Sequence, residues 1–251
     1  LFKATISDAR LWKNLLAAIS TLIEEADFDA GPDGVKIRSM DPSHVAMVDF
    51  EWQKAAFDDY TCMEPNKIRL NLASMLKLLR RVGGDEVLDM MYDDNTKKLN
   101  LTLKGKITRR FTIPTLDPAE EEVPTPKLNF TTRVKLTTGT LRDIIDDIQA
   151  VSDNVRFEST QEKFVATALT ELSSATIEME KGSEVLLELD VKEPSKATFN
   201  LSYLSEISKA GATASELVTA EFATNMPVRL QFEIPQQGKL VYYLAPRIEA
   251  E

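Results

Sequence analysis

Asn71-Leu72-Ala73-Ser74-Met75-Leu76-Lys77-Leu78-Leu79-Arg80 has a partner further along the chain, beginning at Asn200-Leu201. Set against it, Met75 falls on Leu204, Leu78 on Ile207 and Arg80 on Lys209. The offset is 129 residues, and other segments keep it: Phe28 falls on Phe157 and Val35 on Phe164. Leu15, Leu16, Ile19 and Leu22 likewise fall on Ile144, Ile145, Ile148 and Val151. One apolar coincidence means little. A constant shift across four segments marks two copies of one structural unit. The match loosens toward the C-terminus.

Each copy carries two amphipathic helices. Residues 8–22 place Leu11, Leu15, Ala18, Ile19 and Leu22 on one face, and residues 72–82 do the same with Leu72, Met75, Leu79 and Val82. Their counterparts are 138–151 and 201–210. Elsewhere apolar residues alternate with polar ones, as in Lys98-Leu99-Asn100-Leu101-Thr102-Leu103-Lys104, preceded by the hairpin-turn residues Asp93-Asp94-Asn95. Val45–Trp52 and Val228–Ile234 also read as strands. Between the copies, residues 114–127 hold four prolines and four acids, a composition that suits an extended connector and neither a helix nor an interior strand. Many antiparallel strands and four helices in duplicate predict an α+β chain. The expected division is an N-terminal domain over 1–115, a connector over 116–127 and a C-terminal domain over 128–251.

The chain has 251 residues, 43% of them hydrophobic, enough for one large core or two medium ones. Its 28% of charged residues are spread out, which argues against disorder. One cysteine, Cys62, permits no internal disulfide and fits a reducing, intracellular setting. No apolar run approaches the roughly 20 residues that span a bilayer. The start at Leu1 lacks a signal-peptide core and reads as trimmed.

Little here suits catalysis. His44 is the single histidine, so neither a Ser-His-Asp triad nor a His pair for zinc can be assembled with assurance. No Gly-x-x-x-x-Gly-Lys or Gly-x-Gly-x-x-Gly loop is present. Asp58-Asp59, Asp93-Asp94 and Asp146-Asp147 could serve a metal-dependent hydrolase, but they read first as turn and helix-surface acids. The expectation is a protein that is not an enzyme and needs no cofactor or metal.

The net charge of −10 argues against nucleic acid if taken as an average. Its distribution says otherwise. Residues 10–22 contain Arg10 and Lys13 and no acid; residues 71–83 contain Lys77, Arg80 and Arg81 and no acid. Two readings stand: a solvated surface with stems lying on the helix, or a face turned toward phosphate. The second copy is different. Its first helix has Arg142 beside Asp143, Asp146 and Asp147, and in its second Lys209 is opposed by Glu206. A phosphate-facing surface would be strongest in the first copy. No Arg-Asn-Gln cluster suits the reading of base edges, so such contact would ignore sequence.

Two stretches carry a family resemblance: Gly34-Val35-Lys36-Ile37-Arg38-Ser39-Met40-Asp41-Pro42-Ser43-His44-Val45, and the tail Leu240-Val241-Tyr242-Tyr243-Leu244-Ala245-Pro246-Arg247-Ile248-Glu249. Leu72–Lys77, the acidic connector, Thr198–Leu204 and Asn225-Met226-Pro227-Val228 add to it. Over nearly its whole length the chain resembles proliferating cell nuclear antigen, the DNA sliding clamp of archaea and eukaryotes. Tyr203-Leu204-Ser205 and Leu244-Ala245-Pro246-Arg247 look archaeal.

The resemblance implies a non-catalytic processivity factor. Three two-domain subunits, most simply a homotrimer, would form a head-to-tail ring with sheets outside and helices lining a central hole. Double-stranded DNA would pass through without sequence preference, facing Lys13, Lys77, Arg80 and Lys209, with Arg10, Arg81 and Arg142 as neighbours. Subunits would join through strands near 107–113 (Ile107, Arg109, Phe111, Ile113) and 175–179 (Ala175, Ile177, Met179). Peptide tails of DNA polymerase, clamp loader, flap endonuclease and DNA ligase would dock on Met40, His44, Val45, Met47 and Val123. Pro227, Tyr243, Ala245, Pro246 and Ile248 would complete that groove. The setting would be the cytoplasm or nucleoid of an archaeon, or a eukaryotic nucleus. A checkpoint-type clamp subunit of a heterotrimer and an acidic metal-dependent hydrolase are the alternatives.

Overall fold

The structure is a computed structural model that describes residues 1–119, 121–236 and 238–248. Glu120 of the expected connector, Gln237, and positions 249–251 of the tail lie outside the described residues. In chain order the first half runs β1 Phe2–Ile6, α1 Ala9–Ser20, β2 Glu25–Gly31, β3 Gly34–Met40, β4 Ala46–Gln53 and β5 Asp59–Cys62. It continues with β6 Asn66–Asn71, α2 Leu72–Leu79, β7 Val87–Asp93, β8 Lys98–Lys104 and β9 Thr108–Pro114. The second half runs β10 Thr132–Thr137, α3 Thr138–Gln149, β11 Asn154–Ser159, β12 Lys163–Leu169, β13 Ser174–Glu180 and β14 Leu186–Val191. Then come β15 Ser195–Asn200, α4 Leu201–Ala214, β16 Leu217–Phe222, β17 Val228–Ile234 and β18 Gly238–Leu244.

Both halves have the same order: strand, helix, five strands, helix, three strands. The starts of α1, β2, β3, β6 and α2 recur 129 residues later, and those of β7, β8 and β9 recur after 130. One residue gained after the second helix explains why the sequence match loosens toward the end. The α+β class expected from the pattern is the one present, built from antiparallel sheets and four helices among the described residues.

The opening stretch decides the fold because it is a helix start written twice. Asn71 caps α2, its Oδ1 accepting from Ser74 N at 2.8 Å. Asn200 caps α4 by accepting from Ser202 N at 2.9 Å and Tyr203 N at 3.3 Å. Such a side chain satisfies backbone donors that the first turn leaves orphaned. The leucine that follows each cap, Leu72 or Leu201, is wholly buried. Asp8 and Thr137 cap α1 and α3 in the same way.

Contacts divide the chain into two compact units. The first comprises Leu1–Pro42, Val48–Pro124 and Ile234–Leu240; the second comprises Ser43–Met47, Thr125–Glu233 and the tail from Val241. In the first, one sheet has the order β5-β1-β7-β8-β9, and β2 lies between β3 and β6. Its helices α1 and α2 pack beside each other over an aromatic core. Trp12 stacks on Trp52 with ring centroids 5.9 Å apart and touches Phe28, Phe50 and Phe57 at 6.2–6.5 Å. In the second unit, one sheet has the order β13-β12-β11-β15, and β10 lies between β14 and β16. Its helices α3 and α4 pack over Phe157, Phe164, Phe199 and Phe222, with centroids 5.3–6.2 Å apart.

All four helix ends differ from the expected ones: α1 and α3 stop early, at Ser20 rather than 22 and at Gln149 rather than 151. α2 stops at Leu79 rather than 82, because Gly83-Gly84 follow and Val82 N turns back to the Leu79 carbonyl at 3.1 Å. α4 runs past 210 to Ala214. Gly211 is an interior helix residue pressed on the Phe232 ring, where a Cβ would stand 2.0 Å from a ring carbon. Gly34 is required for another reason: its φ is +143°, and a Cβ would stand 2.2 Å from the Trp52 carbonyl oxygen.

Gly211→Ala separates two effects of opposite sign. Helix propensity favours alanine by about 1 kcal/mol, whereas overpacking against Phe232 costs about 1–3 kcal/mol. The ring cannot yield without moving its neighbours, so the variant is expected to melt lower; a melting temperature at or above wild type would refute this contact. Glu86 gives a pH prediction. Its carboxylate accepts from Gly83 N at 2.8 Å and from Arg109 at 2.5 Å, and these bonds, in that order, hold its pKa below the usual range. A depressed carboxyl stabilises the fold above about pH 4.3, and that contribution fades as pH falls through the lower folded value. Glu86→Gln should therefore cost about 1–3 kcal/mol at pH 7, with the gap to wild type closing in melts below about pH 4.

Candidate nucleic-acid interface and docking surfaces

α1 turns Trp12, Leu15, Leu16, Ala18 and Ile19 inward, and α2 buries Leu72, Met75 and Leu79. With those faces committed to the core, the charged residues have only the outer side. Arg10, Lys77, Arg80 and Arg81 are exposed there and Lys13 is partly so. None of the five makes an ion pair among the described residues. Arg80 caps α2 and Arg81 follows it, so the last carbonyls of the helix favour positive charge at that end.

The second unit is not basic on its helices. Arg142 is exposed and makes no ion pair among the described residues, but Asp143, Asp146 and Asp147 are exposed on the same helix. Lys209 lies 3.8 Å from Glu206. Strand cations are treated differently again. Arg38 pairs with Asp49, Arg69 with Glu25 and Asp27, and Arg133 with Glu188 and Glu221. Acids on the sheets thus pair with several sheet cations, whereas the cations of α1 and α2 keep a positive face with no ion pair among the described residues.

β9 and β13 are the outer strands of their sheets, each bonded on one side only, to β8 and β12. Both are seven residues long and alternate identically between exposed and covered positions. Of the residues expected at a subunit contact, Phe111, Ala175 and Ile177 are partly exposed, whereas Ile113 and Met179 are buried in their own units. Arg109 is tied to Glu86, and Ile107 precedes β9 in the open. The sequence reading missed the charge difference between the edges: β9 carries Arg109 and Arg110, and β13 carries Glu178 and Glu180.

The expected docking residues fall in several segments. In the second unit, His44 is exposed at φ +57°, Met47 and Tyr243 are buried, and Ala245, Pro246 and Ile248 form the extended tail. Ala245 N donates to the Val45 carbonyl at 2.9 Å, so its N–H is already used and its carbonyl is what it can offer a peptide. Pro227 lies partly exposed before β17. In the first unit, Met40 ends β3, and Val123 lines a small recess with Asp27, Arg38 and Asp49. The connector is pinned to that unit: Leu116 N donates to the Arg69 carbonyl at 2.9 Å, and Lys67 pairs with Glu122 at 3.2 Å. Sequence reading also missed a cleft of about 590 Å³ in the second unit, assembled from β11, β12, β15 and the tail.

Two of the three acid pairs have structural work, and Asp146-Asp147 is exposed on α3. Asp58 accepts from Ser7 N at 2.6 Å. Asp93 accepts from Asn95 N and the Thr96 hydroxyl, and Asp94 binds Lys97; these bonds hold both carboxyls below the usual range. Among the described residues no group of three or more His, Cys, Asp or Glu could hold a metal ion, and no helix is long and apolar enough to cross a membrane.

Residues 1–117 match the family described as proliferating cell nuclear antigen, N-terminal domain, and residues 124–247 match the corresponding C-terminal domain. The DNA polymerase sliding clamp 1 of Pyrobaculum aerophilum is 36% identical over 245 residues, 98% of each chain. The DNA polymerase sliding clamp of Pyrococcus furiosus is 33% identical over 248 residues, 99% of each. The crystal structure of proliferating cell nuclear antigen from Thermococcus kodakaraensis aligns with a TM-score of 0.93 at 25% identity, covering 98% of this chain and 100% of that one. With both halves matched in order and the same element sequence in each, the chain belongs to the proliferating cell nuclear antigen family of DNA polymerase sliding clamps.

Proposed function

We propose that this chain is a DNA sliding clamp. Three copies join head to tail, β9 of one against β13 of the next, and close a ring around duplex DNA. Each copy contributes an N-terminal domain over 1–115, a connector over 116–127 and a C-terminal domain over 128–251. The observation that carries the reading is the α1–α2 face: five cations with no acid partner among the described residues, in a chain of net charge −10. The two unpaired edges support the assembly. An open edge is a liability unless another strand meets it, and a basic edge facing an acidic one favours union of unlike edges. A head-to-tail contact whose rotation closes gives a ring.

The clamp acts without chemistry of its own. A closed ring is retained on DNA by topology, so its phosphate contacts can be weak and mobile, which permits sliding. The duplex leans toward the N-terminal helices, because Asp143, Asp146 and Asp147 make the α3 face repellent. Acidity elsewhere discourages adhesion of the outer surface to DNA. DNA polymerase, the clamp loader, flap endonuclease and DNA ligase bind through short peptide tails at the docking segments. Tethering gives each a high local concentration near its template. Methionine at Met40 and Met47 allows one apolar pocket to repack for several anchors.

Native mass spectrometry tests the assembly: a species of three chains is expected, and only single chains at working concentration, with partners supplied, would overturn the reading. Once loaded, the ring should stay on circular DNA and run off linear DNA. Neutralising Lys77, Arg80 and Arg81 to Gln should leave the mass unchanged. It should lower the salt slope of DNA binding by roughly one per cation and weaken polymerase stimulation on primed circles. An unaltered slope would reduce that face to ordinary solvation.

A further inference from the structure

We propose that the connector is a releasable strap, closed on the first unit by charge and opened by ionic strength. The inference concerns the connector itself and stands apart from the docking role proposed above. In β2 and β6 the antiparallel register sets Asp29 opposite Lys67 and Asp27 opposite Arg69. These unlike charges form a ladder on the face turned away from the core. The connector lies on that ladder and touches it at every third residue. Leu116 N donates to the Arg69 carbonyl at 2.9 Å, Ala119 N donates to the Asp27 carboxylate at 3.2 Å, and the Glu122 carboxylate accepts from Lys67 at 3.2 Å. The Asp27 carboxylate also accepts from Arg69 at 3.2 Å, so one group closes a rung of the ladder and holds the strap.

No buried apolar side chain fastens this stretch. Among the described residues from Leu116 to Pro124 none is buried, and beyond Leu116 none makes a backbone-to-backbone hydrogen bond. A few charge contacts hold it down, and contacts of that kind weaken with salt and open at little cost. The two clasps are not equal. The Glu122 side chain is 85% exposed and that of Asp27 only 16%, so salt reaches the Glu122 end first. Lys67 is the pivot of that end, with Asp29 at 3.8 Å on its other side. Burial raises the Asp29 pKa and the nearby Asp27 and Glu122 raise it further, while Lys67 pulls it down, so the carboxylates are crowded and the lysine is what reconciles them. The Lys67–Glu122 pair is also the wall common to two hollows of about 100 and 390 Å³. Lifting Glu122 joins them into one furrow along β2 and carries Val123 out of the smaller hollow.

Hydrogen exchange of the full chain, resolved residue by residue at constant pH, tests this at the Ala119 amide, with the Phe28 amide in β2 as reference. In wild type, exchange at Ala119 should quicken about three- to fivefold between roughly 0.05 and 1 M NaCl, while Phe28 holds steady. Lys67→Gln should exchange at the fast rate already in low salt and respond little to more. Glu122→Gln should shift in the same direction, and the double variant should be no faster than Lys67→Gln alone, because both remove one contact. Lys67→Arg keeps the charge and should behave as wild type. Three results would overturn the strap. Exchange at Ala119 that ignores salt in wild type, or is the same in Lys67→Gln, would show that charge does not close it. Equal acceleration at Phe28 would mean that the whole unit loosens and the connector merely follows. Lys67→Arg as fast as Lys67→Gln would assign the effect to packing of the lysine stem. None of these results bears on ring assembly or peptide docking, which stand or fall on their own measurements.

Discussion

A helix lying on a sheet has one face to bury, and that constraint sorts the charge of this molecule. Trp12, Leu15 and Ile19 on α1, and Met75 and Leu79 on α2, face the core. Whatever is polar on these helices must face outward. The sheets hold most of the compensating acids, in pairs such as Arg133 with Glu188 and Glu221. Net acidity and a local positive face are therefore compatible: they reside on different elements. The average charge of such a chain says little about what it touches.

Duplication has kept the frame and changed its contents. Trp12 in the first copy corresponds to Leu141 in the second, and both are buried. The first core is organised by a tryptophan stack, the second by four phenylalanines. Cores tolerate such exchange when volume and pattern are kept. Surfaces carry a different constraint, which shows in the contrast between α1 with its Arg10 and Lys13 and α3 with its three exposed aspartates. The two halves share an architecture and divide the labour.

Much of this was legible in the chain. The capped helix starts at Asn71 and Asn200, the alternation over Lys98–Lys104 and the strand Val228–Ile234 come directly from local chemistry. Helix ends did not, because they depend on tertiary contact. At Gly211 the Phe232 ring occupies the space a side chain would need, so a residue of poor helix propensity sits inside α4. Charge on α1 and α2 was readable as composition, but that those cations stay unpaired is a matter of where the acids fold. The docking tail was visible as a motif, whereas the engagement of Ala245 N by Val45 was not, since the partners lie 200 residues apart. The cleft was invisible for a like reason: β11 and β12 are neighbours in sequence, but Thr198, Arg247 and Ile248, which also line it, come from segments further along the chain.

Glu86 joins parts of the first unit that the chain keeps far apart. Its carbonyl accepts from Ala9 at the head of α1, and its carboxylate holds Gly83 after α2 and Arg109 in β9. The outermost strand is thus moored near both helices through a single residue, its side chain on one side and its backbone carbonyl on the other. Tension on β9 would travel to the helix pair rather than dissipate by peeling one strand, so the rim of this unit and its cationic face are mechanically one piece.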